Sequence, residues 1–216
     1  MDFQRARTKE QIEERQWDII KACDYLFDEG GYEKVNIKSI SEMTTLTRSS
    51  IYTYYKTKDE IILDLLSYEL VEWKEELLEW CEKTAPLDRY EFSRQFVDNL
   101  IGKDKMLQHY CLLYSLLERN CRLEKLVEFK SKAIPVAGAL VHVIMKNFKE
   151  YSIEQAAMIV EQMIALIIGL YPVSHVTERQ REAIELSETG YQTPDFMSVC
   201  KNGILKILVI IQNPSE

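Results

Sequence analysis

Apolar residues recur at steps of three and four along nearly the whole of this 216-residue chain, and nowhere do they alternate over the length of a strand. Seven glycines and five prolines are too few breakers for a many-turned sandwich or barrel. The expectation is therefore an all-α fold of nine to ten helices. The first runs from about Thr8 to Glu29. Thr8 and Gln11 stand at capping-box spacing, Ile12, Trp17, Ile19, Ile20, Cys23, Leu26 and Phe27 form one apolar stripe, and Gly30-Gly31 is the stop. Further helices are expected over about 57–83, 88–102, 104–119, 122–150, 152–171 and 193–212. Pro135 should kink or split one of them, and Pro172 should end another. Thr57 and Glu60 form a second capping box, Ser152 and Gln155 a third. Thr193 is read as a cap with Pro194 at the first helical position. The charged stretch 176–192 reads as a loop or a short helix.

The net charge of −8 argues at first against a polyanionic partner, but its distribution matters more than its total. Residues 34–58 carry Lys34, Lys38, Arg48, Lys56 and Lys58 against Glu42 alone, a local +4. Arg5, Arg7 and Lys9 against Asp2 add +2 at the N-terminus, which leaves −14 for the rest. A basic tip on an acidic body can meet a polyanion end-on. Five cysteines without tight pairing fit buried reduced thiols in a cytoplasmic protein. The first 18 residues are charged, so no signal peptide is expected. The longest apolar run, Met163 to Val173, is too short to span a bilayer.

The basic segment has a form of its own. Residues 36–58 read NIKSISEMTTLTRSSIYTYYKTK. Asn36 can cap one short helix and Thr47 a second, with Thr44-Thr45-Leu46 between them, which is the layout of a helix-turn-helix. Ile37, Ile40, Met43, Leu46 and Ile51 are spaced to pack the pair together and onto the first helix. Tyr55 reads as core. Lys38, Arg48, Ser49, Ser50, Tyr52, Thr53 and Tyr54 are left for the outer side, and their donors suit phosphates and base edges.

From the first helix to Leu66 the chain resembles the TetR family of bacterial repressors. The resemblance is carried in order by Leu26-Phe27, Gly31-Tyr32, Ile40, Ile51-Tyr52, Tyr54-Tyr55 and Lys58-Asp59-Glu60-Ile61. It implies a three-helix DNA-binding domain over 1–56 and a helical ligand-sensing and dimerisation domain over 57–216. It also implies that the helix after Thr47 enters the major groove. Arg48, Ser49 and Tyr52 stand where family members read bases, and Arg48 suits a bidentate contact to guanine. Ser50, Thr53, Tyr54 and Lys58 stand where members hold phosphates. Lys38 could touch a base or a phosphate, and Arg5 and Arg7 could reach an adjacent groove. One departure stands out: Thr44-Thr45 replaces the family's small residue followed by glycine. A β-branched residue is unfavourable in the left-handed conformation, so the turn should be strained or take another geometry.

No cofactor, metal or catalytic constellation is expected in the remainder. His109, His142 and His175 are far apart, and neither a nucleophile elbow nor a phosphate-cradling glycine loop is present. The segment 88–150 is rich in aromatic and aliphatic residues. By resemblance an apolar effector would sit against Phe92, Phe96, Met106, Tyr110, Tyr114, Leu117 and Ile144. The last two long helices carry very broad apolar faces: Ile159, Met163, Ile164, Leu166, Ile167, Ile168 and Leu170 on one, Ile204, Leu205 and Ile207 to Ile211 on the other. In the family such helices build the homodimer interface. The expected function is a regulator of transcription, most simply a repressor that a small molecule releases from a palindromic operator. Two other readings stay open: an interaction module with a vestigial helix-turn-helix, and a regulator whose body senses a protein partner.

Overall fold

The computed structural model describes residues 8–212. Arg5 and Arg7 lie outside the described residues. Among those described there are ten helices, a π-turn and one further single α-turn, and no strand. The helices are α1 (Lys9–Lys34), α2 (Ile37–Met43), α3 (Arg48–Tyr54), α4 (Lys58–Lys83), α5 (Arg89–Asp98) and α6 (Asp104–Leu112). The chain runs on through a π-turn (Leu113–Leu117) into the single turn α7 (Glu118–Asn120). Then follow α8 (Leu123–Asn147), α9 (Ile153–Ser174), α10 (Glu178–Leu186) and α11 (Phe196–Gln212).

The chain forms two compact units. The first comprises Met1–Tyr68 and Leu112–Ser131, so a stretch from the middle of the chain joins the N-terminal helices; the second comprises Glu69–Cys111 and Lys132–Glu216. In the first unit, Ile19, Ile20, Cys23 and Phe27 of α1 are buried with Ile40, Leu46, Ile51, Tyr55 and Ile62. The other end of the α1 stripe is not covered: Ile12 is 38% exposed and Trp17 is 44% exposed, the latter packing edge-on against Tyr68 at 5.1 Å. Met43 is likewise exposed rather than packed between α2 and α3. The helical conformation of α1 breaks at Gly30 and Gly31, where sequence placed its stop. Gly31 has φ 66° and ψ −163°, a region that side chains with a Cβ avoid. Gly31→Ala is expected to destabilise the protein by about 1–3 kcal/mol, read by urea unfolding; an unchanged midpoint would contradict the strain.

The second unit holds an aromatic run. Phe92 stacks on Phe96 at 5.9 Å and meets Phe148 edge-on at 5.2 Å, and Trp73 meets Phe96 at 6.3 Å. α11 packs against both α9 and α5. Gly203 makes the first of these contacts close, since a Cβ there would meet Leu166 Cδ2 at 2.5 Å. Two boundaries differ from expectation, and of the two outcomes expected at Pro135 the split does not occur. α8 passes Pro135 unsplit. α9 continues past Pro172 to Ser174, because the proline stands in the last turn and the Ile168 carbonyl it leaves without an amide accepts the Cys111 thiol at 3.5 Å. α11 is capped by Asp195, whose Oδ2 accepts from Ser198 N at 2.7 Å, not by Thr193. The stretch read as loop or short helix contains α10, which begins with a full capping box at Thr177 and Gln180.

Because α9 starts at Ile153 and runs through Pro172, it is longer than the apolar run read from sequence. Among the described residues it is the one helix long and apolar enough to cross a membrane, and 33% of its apolar window is buried within the protomer. None of the five cysteines, all of them among the described residues, is in a disulfide. Burial pushes the Cys111 thiol up to about 11 and the Cys121 and Cys200 thiols to about 12, so all three stay protonated at neutral pH.

Candidate nucleic-acid interface

The two short helices are capped as their sequence requires. Asn36 Oδ1 accepts from Ser39 N at 2.9 Å, and Thr47 Oγ1 accepts from Ser50 N at 3.2 Å. Ile40 and Ile51 are fully buried beneath them, and Leu46 seals the turn. The Thr44-Thr45 corner is not left-handed. Thr44 is extended, with φ −116° and ψ 169°, and among the described residues Glu188 is the one non-glycine at positive φ. Thr44 Oγ1 instead accepts from Leu46 N at 3.3 Å, a side-chain turn that needs no glycine.

With Ile51 and Tyr55 inward, α3 turns its other side out. Arg48, Ser49 and Thr53 are exposed and Tyr52 is 46% exposed, while Ser50 and Tyr54 are half-buried. Thr47 Oγ1 lies 3.0 Å from Ser49 Oγ and 2.9 Å from Ser50 Oγ, and Thr53 Oγ1 donates to Ser50 O at 2.7 Å. These hydroxyls are therefore held in place by local bonds. Lys38 is exposed on α2, with Glu42 at 3.9 Å, a contact that water screens heavily. Lys56 is exposed and donates to Tyr52 O at 2.6 Å.

Lys58 is placed differently from these. Its ammonium donates to Tyr32 O at 2.8 Å and sits 3.5 Å from the centre of the Tyr32 ring, half-buried at the end of α1. Tyr32 in turn donates to Asp59 Oδ1 at 2.8 Å. This places Lys58 at the corner between α1 and α4.

Sequence reasoning did not find what holds the α3–α4 corner. Glu60 is fully buried. Its carboxylate does not complete a capping box with Thr57, although Thr57 Oγ1 does accept from Glu60 N at 3.2 Å. The carboxylate accepts instead from Lys56 N at 2.7 Å and from three donors of Arg122: N at 3.2 Å, Nε at 2.6 Å and Nη2 at 2.9 Å. Arg122 Nη2 also reaches Tyr54 O, the end of α3, at 3.4 Å. Beneath it, Asp64 Oδ2 accepts from Tyr55 OH at 2.9 Å and from buried Lys125 at 3.0 Å. Burial pushes the Tyr55 phenol up, and the neighbouring Asp64 carboxylate adds to it, so Tyr55 is a permanent donor. Arg122 and Lys125 lie more than sixty residues from their partners, and no local spacing signals such pairs.

Two small apolar cavities lie among the described residues of the second unit. One, of about 40 Å³, is lined among others by Trp73, Met106, Tyr110, Leu140, Ile164 and Ile167. The other, of about 10 Å³, adds Phe92, Phe96 and Ile144 to shared walls. Five of the seven expected pocket residues therefore line a cavity. Tyr114 and Leu117 do not: both belong to the first unit, Tyr114 half exposed and Leu117 fully buried.

Comparison with known proteins agrees with this architecture. Residues 19–65 match the family described as "Bacterial regulatory proteins, tetR family", and residues 67–208 match "Tetracyclin repressor-like, C-terminal domain". No curated protein matches the chain. Among solved structures, one described as a TetR-family transcriptional regulator from Mesorhizobium loti is similar with a TM-score of 0.58 at 10% identity, over 94% of this chain and 98% of that one. The transcriptional regulator FadR from Bacillus subtilis, solved in complex with stearoyl-CoA, gives a TM-score of 0.50 at 16% identity, over 93% and 99%. At such identities these two establish the fold alone.

Proposed function

Because this chain belongs to the TetR family of bacterial regulators, whose members bind DNA, we propose that it is a cytoplasmic repressor released from a palindromic operator by a small, largely apolar effector. The observation that carries the DNA-binding part is the division of α3. Ile51 and the following Tyr55 are fully buried, while Arg48, Ser49, Tyr52 and Thr53 face outward on a locally braced helix. Arg48 reads guanine through its two-donor edge, with Ser49 and Tyr52 beside it. Thr47, Ser50, Thr53, Tyr54 and Lys38 hold phosphates or adjoining bases. Lys58 joins them by exchanging the Tyr32 carbonyl for a phosphate oxygen, which the two acceptors' similar chemistry allows.

The dimer forms through α9 and α11. Each keeps apolar residues exposed outside the protomer: Met158, Ala165, Gly169 and Val173 on one, beside Gln162, and Val199, Val209 and Ile210 on the other, beside Asn202 and Lys206. A twofold dimer presents two copies of α3 about 34–36 Å apart, one turn of duplex. An effector entering the C-terminal cavities releases DNA only by preferring the conformation that DNA does not, by a few kcal/mol.

Arg48→Ala tests the reading. Against an operator selected from a random duplex pool, each half-site should lose about 1–3 kcal/mol and specificity at one base pair should relax. Binding to unrelated duplex should fall much less. Equal affinity of wild type and variant for the selected operator would refute the assignment.

A further inference from the structure

Two observations at the C-terminal cavities converge on one side chain. Trp73 lines both voids, together with Leu140, Ile164 and Ile167, which also face both. Its side chain is 5% exposed, and its indole Nε1 has no hydrogen-bond partner. A buried N–H without an acceptor is costly and uncommon in folded proteins. The half-buried indole of Trp80, by contrast, is satisfied: its Nε1 donates to Gln95 Oε1 at 3.1 Å. Among the described residues lining the two cavities none carries a charge. An ion brought there would be stripped of water without a counter-charge.

We infer that these cavities accept a slender, uncharged, mainly hydrocarbon molecule carrying one carbonyl or ether oxygen, which accepts the hydrogen bond of Trp73 Nε1. This rests on the effector reading above and gives that effector its chemistry. The oxygen supplies what the indole lacks, and the hydrocarbon parts lie against Met106 on one side of Trp73 and Phe92 and Phe96 on the other. The voids of about 40 and 10 Å³ are far smaller than a typical ligand pocket of about 300 Å³ or more. The shared walls must therefore part as the ligand enters, and they part along the line that joins the voids. This favours a narrow molecule over a broad one.

Three near-isosteric probes test it on the full chain: 2-heptanone, 2-methylheptane and sodium heptanoate, titrated by calorimetry and thermal shift. Trp73→Phe should weaken the ketone relative to the hydrocarbon by about two- to twelvefold, the range of a single neutral hydrogen bond. The ratio cancels any change in cavity volume that the substitution makes. Heptanoate should bind at least tenfold more weakly than the ketone. A measurement without substitution accompanies these: the Trp73 indole proton resonance should move downfield with the ketone and not with the hydrocarbon. Absence of binding by all three probes, a ketone-to-hydrocarbon ratio indifferent to Trp73→Phe, an indole proton unmoved by the ketone, or heptanoate binding as tightly as the ketone overturns the assignment. Binding that follows the expected ratios without loosening operator affinity leaves the Trp73 assignment standing and overturns the effector reading instead.

Discussion

Glu60→Ala is expected to destabilise the first unit by about 2–4 kcal/mol, measured by urea unfolding. The carboxylate is fully buried and accepts four hydrogen bonds, three of them from Arg122. Removing one member of a buried ion pair costs about 3–5 kcal/mol when the survivor is stranded. Arg122 is 41% exposed and can recover some hydration, which lowers the figure. The loss should also reach α3, because Arg122 ties Tyr54 O to this corner. A loss under about 1 kcal/mol, small for the removal of a buried charge, would show that the corner is held elsewhere. The same group sets a pH dependence. Burial on its own would raise the Glu60 carboxyl, but the hydrogen bonds from Arg122 and the Lys56 amide outweigh it and hold it below the ordinary 4.5. A carboxyl depressed in the folded state contributes stability that is complete above its unfolded value. That stability drains away as the pH falls through the lowered one. Glu60→Gln should therefore flatten the acid limb of the stability curve below about pH 4.5 and leave its slope near neutrality unchanged.

Gly169→Arg is expected to give a monomer whose operator affinity is about 10²- to 10⁴-fold lower, the advantage lost when two linked reading heads become independent. Gly169 is exposed on the outer face of α9, and a Cβ there meets nothing within 4 Å. The protomer should therefore fold, and arginine's better helix propensity favours it. In the proposed interface a guanidinium would be taken out of water beside Met158, Ala165 and Val173, which is what should separate the protomers. Sedimentation gives the mass, and gel shift on the same samples gives the affinity. A variant that stays dimeric would move the interface away from α9.

Local chemistry was the legible part of this chain. Asn36, Thr47, Thr8 and Ser152 announce their caps because a capping bond spans three residues. Periodicity located α1, α4, α8 and α9 because it reports which side chains are apolar. It does not report whether a neighbour covers them, so Ile12, Trp17 and Met43 read as core and are exposed. Pro172 read as a stop because the thiol that serves the orphaned Ile168 carbonyl comes from Cys111, 57 residues away. Glu60 read as half of a capping box because its partner Arg122 lies 62 residues on. Of the expected pocket, Phe92, Phe96, Met106, Tyr110 and Ile144 share one unit. Tyr114 and Leu117 follow the π-turn into the other, and an irregularity of that kind leaves no mark on composition. Trp73 was legible only as an apolar position on α4; its unsatisfied indole required coordinates.

The corner between α2 and α3 depends on a threonine hydroxyl and on extended backbone. Every L-amino acid but proline tolerates that backbone, so selection at this corner acts on length and on one hydroxyl, not on handedness. Lineages that acquire such a corner can drift there more freely than those tied to glycine. A search pattern that demands glycine between the two helices will pass over them, however intact the reading surface beside it.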